Sequence, residues 1–151
     1  LKFSINCTNL DKIGKKKLFN LNLNDLFINF NCDKGTYFFH NKEKISSHNY
    51  SVYYEKYLKN LKEKKINFME LGSHEGKGLA SFYFYFPHAK MIGANINPFQ
   101  MRYNSKRITE LFVDVSSKEI LKSKKLTPNI FVYGEAIRNF SLPQDSLADN
   151  K

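Results

Sequence analysis

The sequence predicts an α/β fold: a parallel sheet with helices on both faces. Four short apolar runs, at 66–71, 90–96, 109–113 and 129–133, have the length and character of strands buried within a sheet. Helical or connecting segments separate them, and strand–helix–strand order in one sheet requires crossover connections, which make the strands parallel. A run of glycines, Gly72, Gly76 and Gly78, follows the first apolar stretch and supplies a sharp strand-to-helix turn.

Residues 1–31 alternate short apolar runs with Asn and Lys, as in LFNLNLNDLFINF, a pattern that fits an edge strand or a short amphipathic helix. Asp33-Lys34-Gly35-Thr36 reads as a turn, followed by a polar stretch through His48. A helix over 49–62 would place Val52, Tyr53, Tyr57, Leu58 and Leu61 near one face and lysines on the other. The first strand, 66–71 (INFMEL), ends in the glycine turn, and 76–86 forms a helix stopped by Pro87. Its aromatic stretch FYFYF, 82–86, suits packing against the sheet better than stacking on a base. The second strand, 90–96 (KMIGANI), closes at Asn97-Pro98, and 99–107 is a short helix or loop. A strand at 109–113, a helix at 116–125 and a strand at 129–133 complete the order, and the polar end SLPQDSLADNK is expected to be loosely ordered. The organisation is thus a lead-in segment, 1–48, and a sheet-bearing half domain, 49–151. The first residue is Leu1 and not Met, as expected of a fragment or processed product.

A chain of 151 residues, 42% hydrophobic and 25% charged, matches one folded domain and not a disordered polypeptide. The net charge of +10 would draw it toward phosphates or anionic surfaces. The lysines are scattered in short clusters, however, and Lys, Asn, Ile and Phe are abundant together, as a nucleotide bias in the source would produce. A nucleic-acid partner is disfavoured, though the basic charge leaves it open. Cys7 and Cys32 form no CxxC pair and no His or Cys cluster joins them, so neither a zinc site nor a disulfide framework is expected and a reducing, cytoplasmic setting is. No apolar run has the length to cross a membrane, and the opening residues lack the plan of a signal peptide.

The informative chemistry lies in Glu70-Leu71-Gly72-Ser73-His74-Glu75-Gly76-Lys77-Gly78. Glycines there let backbone approach a ligand and open a helix whose N-terminal N–H groups face a polar group. A phosphate-binding P-loop fits poorly, because the glycine spacing is one residue short and Gly78 stands where a hydroxyl would hold magnesium. A dinucleotide motif also fits poorly, because His74 replaces the glycine at which a pyrophosphate approaches. The stretch instead resembles the first motif of class I S-adenosylmethionine-dependent methyltransferases, matched by Glu70, Gly72 and Gly76. The segment FPHAKMIGANINP, 86–98, resembles the family's second-strand region, with Asn95 at the usual Asp position, and Asp114 in FVDVSS falls where the family places a residue near adenine. Upstream, Asp33-Lys34-Gly35-Thr36, His48, Tyr50 and the YYEKYL helix resemble a lead-in found in bacterial small-molecule methyltransferases related to macrolide-sugar O-methyltransferases. The likeness spans roughly residues 30–120.

The resemblance implies a Rossmann-like sheet, incomplete at about four strands of the family's seven. It implies methyl transfer from S-adenosylmethionine to a hydroxyl or amine of a small molecule or sugar, with Glu70, Gly72, Ser73, Gly76, Asn95 and Asp114 holding the cofactor. A loop of this kind wraps the methionine part, and the position of Asn95 takes the ribose hydroxyls; Asn can accept from one hydroxyl where a carboxylate accepts from two. Relatives carry an acidic pair and then a histidine after the fourth strand. Here NIFVYGEAIRN offers Glu135 alone and no histidine, so no catalytic residue and no metal ligand is assigned. The alternative is a degenerate, non-catalytic relative kept for binding or assembly. A shortened sheet would also leave a parallel edge through which copies of the chain could associate. His48 and His74 read as surface residues, and Tyr53, Tyr54 and Tyr57 as core or cover.

Overall fold

The computed structural model describes residues 7–13, 15–97, 99–114 and 130–133. The helix expected at 116–125, Glu135 and the polar C-terminal stretch lie outside these residues. In chain order the elements are β1 (Thr8–Asn9), α1 (Lys15–Leu18), α2 (Leu23–Asn29), β2 (Tyr37–His40), β3 (Glu43–Ser46), α3 (Ser51–Leu58), β4 (Asn67–Leu71), α4 (Lys77–Tyr85), β5 (Lys90–Asn95), β6 (Tyr103–Asn104), β7 (Ile108–Phe112) and β8 (Ile130–Tyr133).

The four apolar runs become β4, β5, β7 and β8, which form one parallel sheet in the order β7-β5-β4-β8. The chain therefore steps outward from β4 through β5 to β7 and returns to the far side of β4 as β8. This reversal puts a topological switch point at the carboxyl ends of β4 and β8, the place where open α/β sheets leave a crevice for ligands. Leu71, the last residue of β4, stands opposite Ala94 of β5 and Tyr133 of β8.

Strand alternation divides the central residues between two faces. Phe68 meets Phe82 and Phe86 of the α4 region at ring separations of 4.5 and 5.4 Å, and Met91 joins the same core. On the other face Met69, Leu71, Ile92 and Ala94 are buried with Leu111 and Val113 against them. Helix α4 is buried all round because α2 covers its outer side: Phe27 lies 5.4 Å from Phe82 and Phe30 stacks 5.7 Å from Phe84. Each such fully buried ring stabilises the fold by roughly 1.5–3 kcal/mol. The aromatic run at 82–86 is thus core.

Within the ambiguous N-terminal stretch, the run LFNLNLNDLFINF resolves mainly as helix α2. Asn22 accepts from Asp25 N at 2.8 Å and its amide donates to the Asp25 carboxylate at 2.9 Å, a reciprocal cap that starts α2. Leu23, Leu26, Phe27 and Phe30 then recur at helical spacing and are buried. Glu55 of α3 ties the parts together, accepting from Leu23 N at 2.8 Å and Tyr85 Oη at 2.9 Å.

Two expectations change, and one open alternative is decided. The polar stretch after residue 36 contains an antiparallel hairpin, β2–β3, closed by Asn41 and Lys42 with φ of 49° and 68°, the paired positive φ that matches hairpin twist. Residues 99–107 form no helix; β6 pairs with β1 in parallel, and Arg107 closes α4 by donating to Tyr83 O, Phe86 O and Ala89 O at 2.9, 3.0 and 2.8 Å. In α3 the face is turned: Val52, Tyr53 and Tyr57 are 58%, 63% and 68% exposed, while Tyr54, Leu58 and Leu61 pack on the core. The helix follows the residues that complete the α4 cover, and the phenol oxygens let Tyr53 and Tyr57 face water.

Candidate functional site

The glycine turn is stitched to the carboxyl end of β5. Gly72 N and Ser73 N both donate to Ala94 O, at 2.8 and 3.1 Å, and Gly76 N closes the turn on Ser73 O at 2.7 Å. Gly72 and Gly76 have φ of 74° and 80°, where a side chain is strained. At Gly76 a methyl group would also overlap Met101 Sδ, so packing as well as conformation requires the glycine. His74 takes a φ of 47° at the tip and is exposed. Gly93 of β5 was not singled out in the sequence, yet a Cβ there would lie 2.9 Å from Leu79 Cδ2, 2.9 Å from Met101 Cε and 3.2 Å from Ser73 Oγ. Its missing side chain lets the turn sit down on the sheet.

Glu70 lies beneath this turn and does not face solvent. Its side chain is 1% exposed and pairs with Lys34 Nζ, itself 9% exposed, at 3.2 Å. The carboxylate lies against the first turn of α4: a methyl on Gly78 would overlap Oε1 and stand 3.1 Å from Cδ. Burial pushes the Glu70 carboxyl up, against the Lys34 ammonium and the Leu79 N–H that favour its charged form. For Lys34, desolvation works downward, but Glu70 prevails and holds the ammonium above the ordinary lysine range. Burial also raises the neighbouring Cys32 thiol and Tyr54 phenol to about 12, so both surround the pair in neutral form. Oε2 of Glu70 and the hydroxyl of Ser73 are buried without a hydrogen-bond partner among the described residues.

Asn95 ends β5 and is 7% exposed. Its amide nitrogen donates to His74 O at 3.1 Å and Gln100 Oε1 at 3.2 Å, which fixes the carboxamide between the glycine turn and the loop after β5. With both donors engaged, Oδ1 is the atom Asn95 can offer to another group. Asp114 is exposed just past β7, and the adjoining Val113 N donates to Asn95 O at 2.9 Å, so both residues stand at one sheet edge. Glu75 on the outer side of the turn binds Lys77 at 2.9 Å and Arg102 at 3.0 Å.

The structure therefore brings Gly72, Ser73, Gly76 and Asn95 together at the turn, sets Asp114 at the same edge, and buries Glu70 behind it. His48 is exposed and stacks on Tyr50 at 5.0 Å. Lys34, Gly78, Gly93 and Gln100 are additions from the structure. Lys34, Gly78 and Gly93 belong to the segments already marked by the resemblance, whereas Gln100 carries no local signal. Among the described residues no group of three or more His, Cys, Asp or Glu could hold a metal ion, and no helix is long and apolar enough to cross a membrane.

No family model and no curated protein sequence matches the chain. Among solved structures, the fold is similar to that of MycE, a methyltransferase from the mycinamycin biosynthetic pathway, in complex with Mg, SAH and mycinamycin VI. The TM-score is 0.53 at 17% identity, and the match covers 67% of this chain and 27% of the MycE chain. At this identity the likeness is one of fold, a partial Rossmann-like methyltransferase fold, and the chain spans about a quarter of the enzyme it matches.

Proposed function

We propose that the chain is the cofactor-binding part of an S-adenosylmethionine-dependent methyltransferase acting on a hydroxyl or amine of a small molecule or sugar. The observation that carries this reading is the pairing of a positive-φ glycine turn with the fixed Asn95 carboxamide at the carboxyl edge of adjacent strands. The fold likeness to a methyltransferase bound to SAH favours the same cofactor class.

The atoms at this edge fit such a group. The Ser73 hydroxyl is buried and unpartnered among the described residues, which suits a polar neighbour. Asn95 Oδ1 can accept from one ribose hydroxyl, and Asp114 is exposed at the same edge, where on this reading it would lie near the adenine. Gly72, Ser73 and Gly76 would follow the methionine part, and Glu70 would support the turn from below. The cofactor, when bound, supplies a methyl group already activated on a sulfonium. The chain's own contribution is therefore holding and orientation, which alone lowers a transfer barrier substantially. Asn95 is suited to this because two hydrogen bonds preset its carboxamide before a ligand arrives.

A second reading draws on the same residue. Both Asn95 donors serve the fold, as expected if the turn persists in a non-catalytic relative used for binding or assembly. Calorimetric titration with S-adenosylmethionine and S-adenosylhomocysteine, with adenosine and NAD as controls, tests the proposal. Micromolar binding of the first two, abolished in Gly72→Val, is the expected result. Absence of binding to either would sink the cofactor site.

A further inference from the structure

We infer that Lys34 is a positioning residue for the cofactor turn, acting through Glu70 to lock the start of α4 onto the lead-in segment. The inference rests on the cofactor reading above. The backbone around Lys34 is held on two helices. Lys34 O accepts from Ser51 N, the first residue of α3, at 3.1 Å, and Gly35 O accepts from Asn49 N at 3.0 Å. Asn24 of α2 accepts from Thr36 N at 2.9 Å and Ser51 Oγ at 3.2 Å. From this anchored turn the Lys34 side chain passes through the core to Glu70, whose carboxylate lies against Gly78 and faces Leu79 N–H in the first turn of α4. One buried ion pair thus joins the lead-in to the end of β4, directly before the Gly72–Gly76 turn.

A buried ion pair is a poor source of stability, because desolvation consumes most of the attraction and apolar residues of similar volume do as well. What it does supply is a fixed position for a charge. Here that charge is a carboxylate at a helix N-terminus, where the macrodipole favours an anion. Oε1 of Glu70 meets Lys34 and Oε2 is buried without a hydrogen-bond partner among the described residues, so apart from the Leu79 N–H the carboxylate has Lys34 as its charged anchor. Loss of Lys34 would drive the carboxylate toward protonation or out of its place, and the first turn of α4 would shift with it.

The test uses the full chain as Lys34→Met, Lys34→Arg and Lys34→Met/Glu70→Gln. It reads S-adenosylmethionine affinity by calorimetry, Tm, and amide hydrogen exchange over residues 72–80. We expect K34M to weaken binding by roughly tenfold or more, since small misplacements at a binding turn are costly, and to speed exchange over 72–80. K34R should restore both by returning a cation to Glu70. The double variant should regain Tm, because no lone charge is buried, yet stay weak in binding. Wild-type affinity in K34M or in the double variant would overturn the inference. If K34M does not fold, K34R and the double variant decide. If the wild-type chain binds no S-adenosylmethionine, the cofactor reading falls by itself. Exchange over 72–80 then settles the role of Lys34: unchanged rates in K34M refute it, and faster rates reversed by K34R uphold it.

Discussion

Replacing Gly78 by Ala should destabilise the protein, against the usual trend for helices. Gly in a helix costs up to about 1 kcal/mol relative to Ala, so the substitution would ordinarily stabilise. At this position the new methyl overlaps Glu70 Oε1 and lies 3.1 Å from Cδ and 3.2 Å from Oε2, so the carboxylate must leave its place beside Lys34. Leaving a buried charge uncompensated, as when one partner of a buried pair is removed, costs about 3–5 kcal/mol, and a carboxylate displaced from Lys34 approaches that state. Offset by helix propensity, the net loss is about 2–4 kcal/mol, which in a domain of this size lowers Tm by roughly 5–15 °C. Urea titration followed by circular dichroism measures it. The decisive control is the same substitution in a Glu70→Ala background, where no carboxylate opposes the methyl and Gly78→Ala should stabilise by up to about 1 kcal/mol. If Gly78→Ala stabilises the wild-type chain, or has one sign in both backgrounds, the packing of Glu70 under α4 is wrong.

Two further predictions concern other supports of the fold. Arg107→Ala removes three guanidinium bonds to the carbonyls that end α4 and should cost about 3 kcal/mol in urea unfolding; Arg107→Lys should recover less than half, since an ammonium lacks the planar fork. A lysine variant as stable as wild type would contradict this. Glu75 is held below the usual carboxylate value of 4.5, first by its bond from Lys77 against partial burial. A depressed folded-state pKa means its contribution is present above pH 4.5 and is lost as pH falls through the lower folded value. In an acid series the wild type should therefore lose its advantage over Glu75→Gln below pH 4.5, and parallel curves would refute the assignment.

The sheet was legible because its central strands, β4 and β5, are almost wholly buried and so appear as apolar runs bounded by turn signals; β4, β5, β7 and β8 begin or end within a residue of the expected runs. The β2–β3 hairpin was not, because its side chains are largely exposed and show no alternation, and its turn uses Asn41-Lys42 without a glycine. In α3 hydrophobicity misled, since a tyrosine counts as apolar in a pattern whether it is Tyr54 inside or Tyr57 outside. At the site, backbone geometry could be read from Gly72 and Gly76 because positive φ leaves a residue signature. Lys34 could not be read this way: its partner lies on another element, and a buried lysine looks like any other lysine until the fold encloses it.

Asn95, at a position where the resembled family carries Asp, is matched to the structure around it. A carboxylate at this position would face His74 O and Gln100 Oε1, two acceptors that the amide now satisfies as a donor. The amide is therefore matched to the conformation of the glycine turn: exchanging it for Asp would turn the bond to the His74 carbonyl into a repulsion, and Gln100 would have to rotate its amide to donate instead. The consequence for a ribose diol is the loss of one acceptor. A single hydrogen bond contributes about 0.5–1.5 kcal/mol net, which is roughly two- to tenfold in affinity. That is a smaller effect than closing the turn or displacing it, because the turn presents several groups at once. On the cofactor reading, Asn95 weakens the hold on the ribose while helping to keep Gly72–Gly76 in place, so binding can survive the exchange of the acid where it would not survive the loss of either glycine.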